Sequence, residues 1–224
     1  MDDPNDSVVE RTIATMRDAI RDGRYVQGQR LVVADVTKAL GVSAGPVREA
    51  IRRLTGEGLV EITQHRGATV RTFKRKDVRE IYQLREVVEG LAARLAAEHI
   101  DIGNNAAELK ASVAEMRTIV RNHGRNYYQH NRDFHELIYK IADNEAMRQM
   151  ARQLVLPIYK LQFHSLLSPE YYRVSASEHE AIAQAILDGD GPGAERLMRN
   201  HVRNSGAAGP TPPPANAGSI EGIG

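Results

Sequence analysis

The stretch Gly41–Leu54, GVSAGPVREAIRRL, decides how this chain is read. Ser43 marks a helix start, because a serine hydroxyl can accept from the free N–H groups of a first turn, and Pro46 stands early enough that its missing N–H costs little. Val47, Ala50, Ile51 and Leu54 recur at helical spacing and should face a core. Arg48 and Arg52, four residues apart, project together on the opposite side, while Glu49 and Arg53 can pair across one turn. By itself this is either a solvated charged face or a cationic reading face.

Working outward, Ser7-Val8-Val9-Glu10 fits a capping box, and Val9, Ile13, Met16 and Ile20 form the inward stripe of a helix that Gly23 ends. After the Gly28 turn, Asp35 to Leu40 carries a second short helix with Val36 and Leu40 inward, stopped by Gly41. Downstream of Gly56 and Gly58, LVEIT (59–63) and ATVRT (68–72) are β-rich runs joined by Gln64-His65-Arg66-Gly67, a hairpin with a basic tip. Three helices and a hairpin make a winged helix-turn-helix.

Charge supports a division of the chain. Residues 7–76 hold 14 Lys and Arg against 7 Asp and Glu, whereas residues 77–224 hold 16 against 19. A basic first third joined to a mildly acidic remainder suggests one module that meets a polyanion and one that does not. With 224 residues and no cysteine, disulfide and thiolate chemistry are excluded and packing must hold the fold. The first residues, MDDPND, lack the basic-then-apolar pattern of a signal peptide, and no apolar run reaches the ~20 residues of a membrane span, so a cytoplasmic protein is expected.

From Asp77 the pattern is helical almost without interruption. Ile81, Leu84, Val88, Leu91 and Leu95 step by three and four residues, as do Leu109, Val113, Met116 and Val120. Further helices are expected over 126–142, 145–167 with a kink at Pro157, 169–187 and 194–204, a bundle of six. The fold class is therefore mostly α. Its expected parts are a disordered N-terminus (1–6), a winged helix-turn-helix domain (7–73), a basic linker (74–76), a helical domain (77–204) and a disordered Gly/Pro/Ala tail (205–224).

The run Leu40-Gly41-Val42-Ser43, Pro46-Val47-Arg48-Glu49-Ala50, Leu54, Gly58-Leu59-Val60 and Arg66-Gly67-Ala68-x-Val70 resembles the GntR family of bacterial transcription regulators. The resemblance implies that the third helix lies in the major groove of double-stranded DNA, with the wing tip on the neighbouring backbone or minor groove. By position, Ser43, Arg48, His65, Arg66 and Gly67 take contact roles; Arg52 is added from helical geometry. Ala44 and Gly45 depart from the family's usual Arg-Thr, and Ala34 from a position where another arginine is common. Each missing bidentate pair removes ~1–3 kcal/mol of base discrimination.

In the helical half, Asn131 and His135 share a helical face, and His179 and His201 lie on the last two helices. Three imidazoles and an amide oxygen suit zinc or another divalent transition metal, although spacing alone favours ordinary helix-surface or satisfied core histidines. Asn131-x-x-Phe134-His135, Glu178-His179-x-x-Ile182, His201 and Tyr82-x-Leu84-Arg85-x-x-Val88-Glu89 resemble the FCD ligand-binding domain of the FadR subfamily. That resemblance implies a metal, zinc first with nickel or manganese as alternatives, held by Asn131, His135, His179 and His201, and a small organic acid effector bound beside it. Asn in place of the commoner Asp removes one negative charge from the site.

Arg85 is a candidate anchor for an effector carboxylate, or else an intrahelical partner of Glu89. Tyr82, Tyr139, Phe163 and His164 are candidate pocket residues, with core packing the competing role. The expected protein is a homodimeric regulator, most often a repressor in this family, on a pseudo-palindromic operator. A DNA-binding dimer whose helical domain only dimerises stays open, and a metal-dependent hydrolase is the remoter alternative. No HExxH, P-loop or GxSxG supports catalysis, and Gly189-x-Gly191-x-Gly193 reads as an interhelical loop.

Overall fold

The computed structural model describes residues 4–21, 23–63, 67–155 and 168–207. Helices α1 (Pro4–Arg21), α2 (Val33–Leu40) and α3 (Ala44–Gly56) precede a hairpin of β1 (Val60–Thr63) and β2 (Gly67–Val70). Six further helices follow among the described residues: α4 (Arg75–Glu98), α5 (Asn105–Arg121), α6 (Tyr127–Ile141), α7 (Glu145–Val155), α8 (Pro169–Leu187) and α9 (Gly191–Ala207). The main division between two compact units falls between Val78 and Arg79. The fold is mostly helical, with the winged helix-turn-helix first and the helical bundle second. No helix among the described residues is long and apolar enough to cross a membrane.

The first unit is built as its periodicity requires. Ile13, Met16 and Ile20 of α1, Val36 of α2, and Val47, Ala50, Ile51 and Leu54 of α3 close one core with Leu31, Leu59, Val60 and Val70. Gly41 adopts φ +64° at the end of α2, the left-handed cap that lets the chain turn sharply into α3. The hairpin is antiparallel, with Val60 opposite Val70 and Thr63 opposite Gly67.

Three local expectations are corrected. Helix α1 begins at Pro4, so Ser7 lies within its first turn and cannot act as the N-cap of a capping box; proline is suited to a first helical position because that N–H has no partner anyway. Ser43 does hold the N-cap position of α3, with extended backbone, but its side chain makes no capping hydrogen bond. Pro46, the third helical residue, lacks one of the two N–H groups that such a cap could use, leaving only that of Gly45. Gly191 and Gly193 are not loop residues. They form the first turn of α9, where Asp190 Oδ1 accepts from Gly193 N at 2.9 Å, and a Cβ at Gly193 would fall 1.9 Å from Asp190 Oδ2.

The bundle also shifts one expected face. On α4, Leu84 and Leu91 of the apolar series are exposed together with Val87, whereas Tyr82, Arg85, Glu89, Ala92, Ala93 and Ala96 are buried. Burial of a charged pair is tolerated there because Arg85 Nε donates to Glu89 Oε1 at 2.6 Å. Helix α5 matches its series, burying Leu109, Val113 and Met116. Ser168 caps α8 by accepting from Tyr171 N at 3.1 Å, with Pro169 behind it. The expected kink at Pro157 lies outside the described residues.

Leu54 is fully buried between α1, α3 and the hairpin. Leu54→Ala should destabilise the first unit by about 2–5 kcal/mol. Urea unfolding followed by circular dichroism checks this, and a loss below about 1 kcal/mol contradicts the packing described.

Candidate nucleic-acid interface and metal centre

The cations of α3 fall into two groups. Glu49 gathers Arg52 through Nε at 2.8 Å and Nη2 at 2.5 Å, and Arg53 through Nε at 3.1 Å. These hydrogen bonds, that of Arg52 first, bring the Glu49 carboxyl down to about 2. Arg53 also reaches Glu10 of α1 at 2.6 Å, and Arg17 of α1 holds Glu57 through two hydrogen bonds of 2.8 and 2.6 Å. Arg48 is exposed and belongs to no ion pair among the described residues. It borders a depression of about 310 Å³ between α3, the start of α2 and the hairpin, shared with Gly67. Ser43 stands exposed or nearly so at the α3 N-terminus, its hydroxyl not engaged in capping. His65 and Arg66 lie outside the described residues.

A third extended segment was not anticipated from the sequence. Arg30 bridges Thr69 along the edge of the hairpin, with Gly28 N donating to Val70 O at 2.8 Å, Leu31 N to Ala68 O at 2.8 Å and Val70 N to Gln29 O at 2.9 Å. A single bridge on a run as short as Gln29–Leu31 leaves no alternation to detect.

In the second unit, α6, α8 and α9 bring His135, His179 and His201 together, with one nitrogen of each lying within 4.8 Å of the others. His179 Nε2 and His201 Nε2 are 3.2 Å apart. Phe134 stacks on His179 with ring centroids 4.2 Å apart and fixes its plane. His201 Nδ1 contacts Glu178 Oε2 at 2.7 Å, and Asn204 Nδ2 donates to Glu178 Oε1 at 2.7 Å. An ionised Glu178 places the His201 proton on Nδ1 and leaves the Nε2 lone pair facing His179. His135 Nδ1 lies 2.6 Å from Glu89 Oε2. Asn131 sits one turn before His135 on α6, buried, with Oδ1 lacking a hydrogen-bond partner among the described residues.

Burial holds His179 well below the usual imidazole range, reinforced by the neighbouring His201, His135 and His130. Burial also lowers His201, against the opposing pull of Glu178. Both rings are therefore neutral near pH 7 and offer lone pairs. Burial would push Glu89 up, but Arg85 and then His135 overcome it and hold the carboxyl well below its ordinary value. Glu178 is also lowered: burial raises it, and the hydrogen bonds from His201 and Asn204 outweigh that.

The donor set fits a divalent transition metal. Three converging imidazoles and an orphaned buried amide oxygen are the right atoms, and Glu89 and Glu178 supply two negative charges one layer out, each against a candidate ligand. Those two carboxylates were not foreseen as site residues. Glu178 adjoins His179 in sequence yet serves His201, and nothing in linear spacing shows that. Of the candidate effector residues, Arg85 is buried and paired with Glu89, its guanidinium 4.8 Å over the Tyr82 ring. Tyr82 and Tyr139 are buried, whereas Phe163 and His164 lie outside the described residues.

A winged helix-turn-helix carrying a basic α3, followed by a helical unit with a buried histidine cluster, is the architecture of a DNA-binding regulator. Comparison with known proteins makes the class specific. Residues 8–70 match the bacterial regulatory protein gntR family and residues 80–204 match the FCD domain. The chain belongs to the GntR family of transcription regulators with an FCD domain, and it is not an enzyme. It is 29% identical over 185 residues to the probable D-xylose utilization operon transcriptional repressor of Paenarthrobacter nicotinovorans, spanning 82% of this chain and 80% of that one. It is 25% identical over 201 residues to the HTH-type transcriptional repressor RspR of Escherichia coli K12, spanning 89% and 88%. The solved structure of E. coli McbR/YncC shares the fold, with TM-score 0.75 at 20% identity over 88% of this chain and 94% of that one.

The Arg85–Glu89 pair generates a stability test. Glu89→Ala leaves a buried guanidinium without its carboxylate and should cost about 3–5 kcal/mol. The Arg85→Met, Glu89→Leu double variant should recover much of that loss in thermal melts. Equal melting points for wild type and E89A contradict the buried-pair reading.

Proposed function

We propose that this regulator is a homodimeric repressor whose operator binding is controlled by a small organic acid bound, with a divalent metal, in the FCD domain. The observation that carries the reading is the convergence of His135, His179 and His201 inside a bundle attached to a winged helix-turn-helix. The relatives from P. nicotinovorans and E. coli are named as repressors, the first as a probable one. The exposed Leu84, Val87 and Leu91, on one face of α4, offer a second copy of the chain an apolar surface. A cytoplasmic location follows from the proposed role.

On the DNA side, Ser43, Arg48, Arg52, His65, Arg66 and Gly67 form the proposed contact set. Arg48 and Ser43 have the stronger support, being disengaged from intramolecular pairing and capping, whereas Arg52 must leave Glu49 to reach DNA. Two such domains in a dimer would meet the half-sites of a pseudo-palindrome.

In the FCD domain, Asn131, His135, His179 and His201 would hold the metal, with zinc the best match to three imidazoles and an oxygen. The metal, when bound, supplies a Lewis-acidic position for an effector carboxylate. Glu89 and Glu178 orient His135 and His201 by holding their Nδ1 atoms. Tyr82, Arg85, Tyr139 and His164 remain the proposed effector neighbours; Arg85 acts mainly by fixing Glu89, since its charge is already matched. Effector binding then shifts the population of dimers able to dock on DNA.

Two measurements test this. Full-length protein should enrich a palindromic sequence from a randomised duplex pool in a salt-sensitive manner, and failure to prefer any sequence overturns the regulator reading of this chain. Elemental analysis after mild purification should find a transition metal, sharply reduced in the His179→Ala, His201→Ala double variant. Glu178→Gln should weaken metal affinity about 10- to 100-fold. Metal-free wild type, or metal content unchanged by the double substitution, overturns the metal centre.

A further inference from the structure

The depression beside α3 holds Arg48 and Gly67 of the proposed contact set and adds a cation, Arg30, that the set does not include. Its lining includes Arg30, Arg48, Val32, Ile62 and Gly67, and none of its described lining residues is acidic. Arg30 and Arg48 are both exposed, and neither enters an ion pair among the described residues. Arg52 and Arg53 on the same helix are drawn to Glu49 and Glu10 instead. Two guanidiniums lining one hollow, with no acidic residue among its described lining, favour an anion between them.

Arg30 is held where such an anion could be gripped. Its backbone is bridged to Thr69, and the flanking bonds Gly28 N to Val70 O and Leu31 N to Ala68 O, both 2.8 Å, fix the strand on either side. The guanidinium lies beside Gly67, with Nε 3.9 Å from where a Cβ would stand. A bare glycine there keeps the hollow open at the base of the wing. Ile62 and Val32, respectively 66% and 38% exposed, give it an apolar rim suited to a sugar face.

We propose that Arg30 and Arg48 together clamp one DNA backbone phosphate between α3 and the wing, making Arg30 a phosphate-positioning residue. The proposal rests on the DNA-binding reading above. A guanidinium fork suits two phosphate oxygens, and a contact made from a strand edge sets the register of α3 without reading a base. Such a clamp also offsets the side chains missing at Ala44 and Gly45, through affinity that carries no sequence preference.

The test uses full-length protein and the duplex it enriches from the randomised pool. Arg30→Ala should weaken binding to that duplex and to an unrelated duplex by similar factors. It should reduce the slope of log affinity against log salt by about 0.9 for each phosphate that is no longer neutralised. Arg30→Lys should keep most of the slope, and Arg117→Ala in the FCD domain should keep all of it. Arg30→Gln repeats the charge removal with a longer side chain should the alanine variant melt early. Unchanged affinity and slope in both neutral variants overturn the proposal, as does altered sequence preference at constant slope, which would make Arg30 a base reader. Saturable binding of inorganic phosphate that R30Q abolishes while the DNA slope stays at wild type also overturns it. Failure of the pool to enrich any sequence is a failure of the regulator reading and is seen before any Arg30 variant is made.

Discussion

Two imidazole nitrogens, His179 Nε2 and His201 Nε2, face each other at 3.2 Å in a site closed to solvent, and the helical domain is organised around that contact. Buried imidazoles this close cannot both carry a proton toward each other. Burial and mutual repulsion keep the rings neutral, so lone pairs accumulate in one place. The surrounding helices commit residues to holding them there: Glu89 from α4, Phe134 and His135 from α6, Glu178 and His179 from α8, and His201 with Asn204 from α9. A ligand that engages these nitrogens therefore acts on four helices at once. That is the property a sensor needs, since coupling requires differential contacts between states.

The DNA-binding unit follows a different rule, in which carboxylates decide which cations are available. Glu49 and Glu10 take up Arg52 and Arg53, and Glu57 takes up Arg17, fastening α3 to α1. Exposed ion pairs of this kind contribute little stability, but they orient side chains and subtract cations from the binding face. What remains on the α3 surface is Arg48 and the Ser43 hydroxyl, which makes no capping hydrogen bond. The unit thus presents fewer charges than its composition suggests, concentrated beside the wing.

Much of this was legible in the sequence because it depends on local periodicity. The core positions of α1 and α3, the six helices of the second unit and the convergence of three histidines follow from three-and-four spacing or from the family motifs. What was not legible depends on partners far along the chain. The Arg85–Glu89 pairing was one of two readings open in the sequence, but their burial in place of Leu84 and Leu91 requires knowing that Glu89 also meets His135. The same holds for Glu178 serving His201, and for the Arg30 segment, whose single bridge to Thr69 carries no pattern of its own. At Gly191–Gly193 the error was of another kind: glycines within a first helical turn look like loop signals until the Asp190 cap is seen.

The question on which the proposed sensory role turns is whether the three imidazoles share one ion. X-ray absorption at the metal edge of the zinc-loaded, full-length protein counts them directly through the outer-shell scattering of the ring atoms. Three imidazoles in the wild type, falling to two in His201→Ala, is the result expected from the convergence of His135, His179 and His201. A spectrum with one imidazole or none, or one unchanged by the substitution, would contradict it.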